Sequence, residues 1–493
     1  MPALSGINHV VVLMLENRSF DSMLGTLYPK SDGFNGLSGE ETNPFTDPAT
    51  GGAGAAIPVW NDTGMDPATA RIPDPDPGEL FQADMVTQLY GLGGSPTAGP
   101  PTMSGFADNY ARQAAAAGAA KPDPKAVMHY FTPAQVPVIS ALATAFGVCD
   151  QWHASAPCQT WPNRFFAHTA TAGGWVDNEP FHFPYEMATI FERLSACKKS
   201  WKVYFHDVPQ SMTLANLWFD APFHFRMFED EFEADCRDGN LPNYSFIEPR
   251  YFTNEPLGLI PNDQHPPHNV VYGEQLIARV YNALRAAPTW TQTLFIITYD
   301  EHGGCFDHVP PPKAVVPDAA SAANTEFSFD RYGVRVPAVI ISPYIAPGSV
   351  VRVVENGLPG QGPPYPFDHT SIIATLRKLF DLGDPLTARD EAAPDLIRAL
   401  SLNDPTNLGP ESIAATTRSP TTTEVADASA APPNDLQHSL CHMTTTLPAK
   451  ATQAEDRIDA LRQGAAGPAT THATVADALS AVTDRVTAFL DTL

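Results

Sequence analysis

Glu16-Asn17 and Asp300-Glu301 each follow a short apolar run, HVVVLML in one case and TLFIITY in the other, so three carboxylates and one amide stand at the ends of segments that belong in a core. Oxygen donors of this kind suit a hard divalent cation. Gathering three carboxylates without a cation costs several kcal/mol in repulsion and desolvation, so a bound metal is the simplest way to make the cluster stable. Either pair alone also fits a strand end meeting solvent; the two are read together as a site because other segments supply what chemistry at a cation needs.

One such segment is CQTWPNRFFAHTATAGG, 158–174. Pro162 is placed to begin a helix, with Thr160 just before the start, where unpaired backbone N–H groups and the helix dipole favour an anion. A threonine hydroxyl becomes a nucleophile when a metal or a base lowers the cost of losing its proton. Asn163 and Arg164 have the chemistry to hold oxyanions. Read alone, the segment favours Thr160 as a plain helix cap. Another segment, NDQHPPHNVVYGEQL, carries His265 and His268 in a proline-constrained loop, and His206 closes the run WKVYF. Imidazoles beside a phosphoryl group neutralise charge or protonate a leaving oxygen. His308 and His369 each follow an aspartate, Asp307 and Asp368, a pattern that orients a ring or shapes a turn.

The elements that must position these residues are strand-length and β-branched: NHVVVLML, WKVYF, LPNYSFIE, LFIITY and RVPAVII. Apolar along their whole length and separated by helical stretches such as EQLIARVYNALRAA, they predict an α/β fold with a mostly parallel central sheet and helices on both faces. Ligands in such sheets bind beyond the carboxyl ends of the strands, where the charged residues fall. Residues 29–105, dense in Pro, Gly, Asp and Thr, read as ordered excursions around the site mouth. The expected organisation is a catalytic domain over 1–402, a linker-like Ala/Thr/Pro-rich segment over 403–437 and a carboxy-terminal helical segment over 438–493. In that last part Val475, Leu479, Val482, Val486, Phe489 and Leu493 form one helical stripe, expected to dock on the body or a partner.

With 29 basic and 55 acidic residues, the formal net charge of -26 argues against nucleic acid and anionic membranes as partners. The longest apolar run, VVVLML, is far short of the ~20 residues of a membrane span. MPALSGINHV lacks the basic and apolar regions of a signal peptide, so the expected location is cytoplasmic, or exported if a leader has been trimmed. Six cysteines with no CxxC spacing make a structural zinc site unexpected and leave disulfides open. Oligomeric state is not legible.

Taken together, ENRSFD (16–21), TWPNRFFAHTAT (160–171), NDQHPPH (262–268), DEHGGCFDHVPPP (300–312) and FDHTSI (367–372) resemble the phosphoesterase family of bacterial and plant non-specific phospholipases C and related bacterial acid phosphatases, over about residues 7–380. The resemblance implies an alkaline-phosphatase-like α/β fold and one divalent metal, held by Glu16, Asn17, Thr160, Asp300 and Glu301. It implies Thr160 as nucleophile, forming a phosphothreonine-type intermediate, with His206 and His265 near the phosphate as catalytic residues. Asn163, Arg164, His268 and Glu79 are the expected substrate contacts, and His302, Asp307, His308, Asp368 and His369 support the site from behind. Glu79 is a departure, because plant phospholipases C carry histidine in a DPGH motif where this chain has DPGE. The metal could be Mg²⁺, Ca²⁺, Mn²⁺ or Zn²⁺. The expected reaction is hydrolysis of phosphatidylcholine-like lipids to diacylglycerol and a phosphorylated head group; phosphomonoester hydrolysis is the alternative. Binding of metal or phosphate without catalysis is a third reading, and a sulfatase or phosphomutase activity fits less well.

Overall fold

A computed structural model describes residues 6–47, 50–62, 69–97, 99–116, 118, 123–353, 365–465 and 471–491. In chain order the strands of its main sheet are β1 (His9–Leu15), β2 (Gly147–Val148), β3 (Trp201–Phe205), β4 (Phe225–Met227), β5 (Tyr244–Glu248), β6 (Thr293–Tyr299), β7 (Ala338–Ile341) and β8 (Ser349–Val350). They lie in the order β8-β2-β7-β6-β1-β5-β3-β4. Every pairing is parallel except those of β7, which runs antiparallel to both β6 and β2. β1 and β6 are buried along almost their whole length, as expected of strands covered on both faces.

Alternation along β3 separates the two helical layers. Trp201 packs against Phe191 of the helix Ile190–Ala196, ring centroids 4.6 Å apart, whereas Tyr204 on the other face meets Phe232 at 5.1 Å. The helix Thr160–Thr169 lies in the first layer, where its His168 ring contacts Phe246 of β5 at 4.5 Å.

Register carries this arrangement to the strand ends. Val10, Val12 and Met14 pair with Leu294, Ile296 and Thr298, and Val10 and Val12 also pair with Tyr244 and Phe246. Paired residues in parallel strands share a face, so the next even position of each strand, Glu16, Asp300 and Glu248, points to the layer holding the Thr160 helix.

The segment 403–437 is not a free tether. It runs along the helix Val270–Ala286, where Tyr281 OH donates to Pro410 O (2.6 Å) and Asn282 Nδ2 to Ile413 O (2.9 Å), and it contains a capped helix of its own, Thr422–Ala430. Its alanines and threonines find partners in a neighbouring helix, which composition alone does not reveal. The helix Asp435–Thr446 docks on the body, with Gln437 Nε2 donating to Tyr251 O (2.7 Å), and the helix Val475–Leu490 packs on it, with Arg485 Nε donating to Thr444 O (3.3 Å). Val475, Val482, Val486 and Phe489 are buried as the stripe predicts and Leu479 is packed against them; Leu493 lies outside the described residues. All six cysteines are free thiols.

Candidate active site

The carboxyl edge of β1 and β6 gathers the predicted cluster. Asn17 adopts a left-handed conformation, φ 54°, and its backbone N–H donates to Asp300 Oδ1 at 2.9 Å. Non-glycine residues take such angles at a cost, and here the turn holds the amide beside the carboxylates. Gly303 lets the second loop pass close by: at φ 58°, a Cβ there would lie 2.3 Å from Asn17 O. Its N–H donates to Glu301 Oε2 at 2.9 Å.

Glu16, Asn17, Thr160, Asp300 and Glu301 are all fully buried at 0% exposure, yet Asn17 Oδ1, Asp300 Oδ2 and Glu301 Oε1 have no hydrogen-bond partner. Orphaned buried oxygens are rare because each costs ~1–3 kcal/mol. Burial drives Glu16 and Glu301 well above the ordinary carboxylate range, and the Asp300 charge adds to both. Three unsatisfied oxygens on three neighbouring residues fit a divalent cation, and among the described residues neither Asp300 nor Glu301 has a lysine or arginine at ion-pair distance; a neighbouring guanidinium is engaged with Glu16.

That guanidinium is Arg164, whose Nη2 donates to Glu16 Oε1 (2.7 Å) and Met14 O (3.1 Å). Burial pulls Arg164 down, but the charges of Glu16, Tyr251, Asp300 and Glu248 together outweigh it and leave the group above its ordinary value. Thr160, one helical turn before Arg164, directs its hydroxyl to Glu16 Oε2 at 3.5 Å. Gln210 completes the hold on Glu16 through Nε2 to Oε1 at 2.6 Å, and its own Oε1 is unpartnered. Sequence reasoning missed Gln210 because it sits in the 3₁₀ turn Gln210–Thr213 with no motif around it.

The Phosphoesterase family pattern matches residues 7–383. The chain belongs to this family. Among relatives of this phosphoesterase, non-specific phospholipase C3 of Arabidopsis thaliana is 37% identical over 420 residues, covering 81% of this chain and 75% of the relative. Non-specific phospholipase C1 of the same plant is 39% identical over 396 residues, covering 78% and 69%. Phospholipase C A of Mycobacterium tuberculosis (strain ATCC 25618 / H37Rv) is 30% identical over 448 residues, covering 82% and 79%. A partial structural likeness, TM-score 0.33 at 14% identity over 52% of this chain and 64% of the other, is to a protein in the alkaline phosphatase superfamily from Vibrio parahaemolyticus.

Elsewhere in this phosphoesterase several side chains have tasks that differ from those the sequence suggests. The Thr160 helix begins at Thr160 itself, with Gln159 as cap and Pro162 inside the first turn. Asn163 is fully committed to the loop before it: Oδ1 accepts from Ala156 N (3.0 Å), and Nδ2 donates to the carbonyls of Ala156 (3.1 Å), Cys158 (2.8 Å) and Gln159 (3.2 Å). It holds the loop in shape and has no donor left for an oxyanion. Trp161 N donates to Asn178 Oδ1 at 2.7 Å and Pro162 has no N–H, so the helix start offers an anion little beyond the N–H of Thr160.

His206 extends β3 on the face opposite the Thr160 helix. It stacks on Phe228 at 4.4 Å and lies in a cleft with Glu229 and Arg250, and no hydrogen bond or ion pair joins it to Glu16, Thr160, Asp300 or Glu301 among the described residues. Its Nδ1 donates to Glu248 O (2.8 Å), so Nε2 carries a lone pair. Burial lowers its pKa to about 3, and a neutral ring presenting a lone pair does not neutralise phosphate. Glu248, another strand-end acid, is consumed locally by the N–H groups of Gln210 (2.6 Å) and Ser211 (3.1 Å).

His265 does reach the cluster. Its Nε2 is 3.9 Å from Glu79 Oε1, and Nδ1 donates to Pro266 O at 2.6 Å. That hydrogen bond fixes the neutral tautomer with a lone pair on Nε2, so the ring as found holds no proton for a leaving group. His268, half-buried at the rim, pairs Nδ1 with Asp263 Oδ1 at 2.7 Å, and the backbone oxygen of Asp263 accepts from Glu16 N at 2.9 Å. Asp263 is thus a further residue of the site, foreshadowed only by its place in NDQHPPH. Glu79 arrives from the long excursion, accepts a hydrogen bond from Asn17 Nδ2, and is driven well above the carboxylate range by burial and by Glu301.

The expected supporting residues fall into two groups. His302 Nδ1 is 3.1 Å from Glu301 Oε2 and Nε2 donates to Gln88 Oε1 at 2.8 Å; His369 Nε2 donates to Asp300 O at 2.6 Å; Asp368 Oδ2 accepts from Ser155 Oγ at 2.8 Å. Asp307 and His308 belong to a separate ion network. There Arg335 Nε meets Asp307 Oδ1 (3.0 Å), Arg335 Nη2 meets Asp21 Oδ1 (2.9 Å) and His308 Nδ1 meets Asp21 Oδ2 (2.6 Å). They brace the helix Phe20–Leu24 that follows the Asn17 turn, and touch none of the predicted metal ligands.

Proposed function

We propose that this chain is a metal-dependent phosphoric ester hydrolase of the phospholipase C type, with Thr160 as nucleophile. The observation that carries the reading is the Thr160 hydroxyl, 3.5 Å from Glu16 among buried, unpartnered oxygens on Asn17, Asp300 and Glu301. Glu16, Asn17, Thr160, Asp300 and Glu301 are the residues that would hold one divalent cation. Bound there, the cation supplies positive charge that lowers the cost of deprotonating the hydroxyl and screens the phosphoryl oxygens.

Thr160 Oγ, its proton released to solvent, attacks phosphorus, the bond from phosphorus to the diacylglycerol oxygen breaks as that oxygen takes up a proton, and the phosphorylated head group is carried on threonine until water hydrolyses the new ester. Arg164 and Gln210 fix Glu16 in place through hydrogen bonds to its Oε1. The proton for the leaving oxygen is assigned to His268, which Asp263 Oδ1 orients through Nδ1 at 2.7 Å, rather than to His265 with its bare Nε2. Names of the relatives favour a phospholipid as substrate, and the acidic surface favours a zwitterionic head group such as phosphocholine; release of diacylglycerol and the phosphorylated head group follows. The monoester alternative is distinguished by assaying p-nitrophenyl phosphorylcholine and p-nitrophenyl phosphate separately, each with and without chelator. Chelator-sensitive diester turnover supports the phospholipase C reading, monoester turnover alone makes the protein a phosphatase, and inactivity on both refutes catalysis.

A further inference from the structure

Asp76, Glu79 and His265 bring one ligand atom each to within 4.8 Å of one another, beside the proposed cation site but outside it. The other such group among the described residues, Asp21, Asp307 and His308, is neutralised by Arg335 at 2.9 and 3.0 Å. Asp76 and Glu79 have no lysine or arginine at ion-pair distance among the described residues; Asp76 Oδ1 lies 3.8 Å from His265 Nδ1 and Glu79 Oε1 lies 3.9 Å from its Nε2.

Three details point to a ligand here. First, His265 is 2% exposed, and its Nδ1 donates to the Pro266 carbonyl, the orientation that metal-binding histidines adopt when the other nitrogen ligates. Second, the Nε2 lone pair faces Glu79 Oε1 at 3.9 Å, too far for a hydrogen bond, and the donor on Glu79 Oε1 is the Asn17 amide on its other side. Third, Asp76 Oδ1 is shielded from solvent without a hydrogen-bond partner, and the fully buried Glu301, whose Oε1 is also unpartnered, lies against Glu79. Acceptors turned toward each other in a low-dielectric site need a cation between them.

We infer that Asp76, Glu79 and His265 form a second divalent-cation site, adjoining the one proposed at Glu16, Asn17, Asp300 and Glu301. One imidazole nitrogen with two carboxylates suits Mn²⁺ or Zn²⁺ better than Ca²⁺. This inference deepens the reading above and rests on it.

The test is metal stoichiometry, independent of turnover. The full chain, freed of metal and re-equilibrated with Mn²⁺, is separated from free ion and analysed for manganese per chain, with the electron paramagnetic resonance spectrum recorded for spin coupling between neighbouring ions. Two Mn²⁺ per wild-type chain, falling to one in Asp76→Asn and in Glu79→Gln with the thermal melt retained, is the expected result; if one variant does not fold, the other carries the test. One Mn²⁺ in the wild type overturns the second site and leaves the proposed function standing. None overturns both, and two that persist in both variants place the second ion elsewhere and overturn this assignment.

Discussion

Arg164 Nη2 grips Glu16 Oε1 at 2.7 Å across the gap between a helix and the end of β1, while Thr160, four residues earlier on the same helix face, holds its hydroxyl 3.5 Å from the other oxygen of that carboxylate. The i, i+4 spacing of Thr160 and Arg164 therefore brings both side chains onto the two oxygens of one carboxylate.

Replacing Thr160 with alanine removes a hydroxyl but no packing partner of consequence. Thr160→Ala is expected to lower turnover by roughly a thousandfold or more with a melting temperature close to wild type. Steady-state kinetics beside a thermal melt decide the matter, and retention of more than a few per cent of the wild-type rate would remove Thr160 as nucleophile.

Arg164→Met leaves Glu16 buried with one fewer counter-charge, and breaking a buried pair from one side costs about 3–5 kcal/mol. Adding Glu16→Gln to that variant should recover part of the loss, because the orphaned charge is gone. Denaturant titration of the two single variants and the double variant measures the coupling; strict additivity would show that the two residues do not act as a pair.

Stripping the metal with a chelator should cut activity on either ester more than tenfold and lower the melting temperature, since a cation that binds only the folded chain stabilises it by mass action. Adding back Mn²⁺ should reverse both. Full activity at a metal content well below one ion per chain would defeat the metal-dependent reading.

Glu274, buried far from these ligands, accepts the N–H groups of Val138 (2.5 Å) and Ile139 (3.2 Å) at the start of the helix Pro137–Ala145, and burial pushes its pKa up to about 8. The folded chain therefore binds this proton more tightly than the unfolded chain, whose value is about 4.3. The resulting stability is fully present below the unfolded value and is lost as pH rises through about 8, on the order of a few kcal/mol in all. Stability curves between pH 5 and 8.5 should slope downward for the wild type and more gently for Glu274→Gln; parallel curves would show that Glu274 does not titrate in this window.

What the sequence determined by itself was the sheet and its chemical edge. Strand-length β-branched runs can be buried only in a sheet covered on both faces, and carboxylates directly after Leu15 and Tyr299 have to emerge at its carboxyl edge. The Glu16, Asn17, Asp300 and Glu301 set was legible for that reason, because strand registry is a local property once two strands pair. Tertiary structure alone decided which face each later side chain takes and what already occupies it. Asn163 looks like an oxyanion ligand until three carbonyls are found on its amide, and His206 looks catalytic until alternation along β3 turns it toward Phe228. Gln210 carries no motif and Asp76 shows only as the first residue of DPGE, and both come near the cluster only because a 3₁₀ turn and a proline-rich excursion fold back over it. Hydrogen-bond saturation and the approach of loops distant in sequence are properties of the packed chain, so no residue pattern records them.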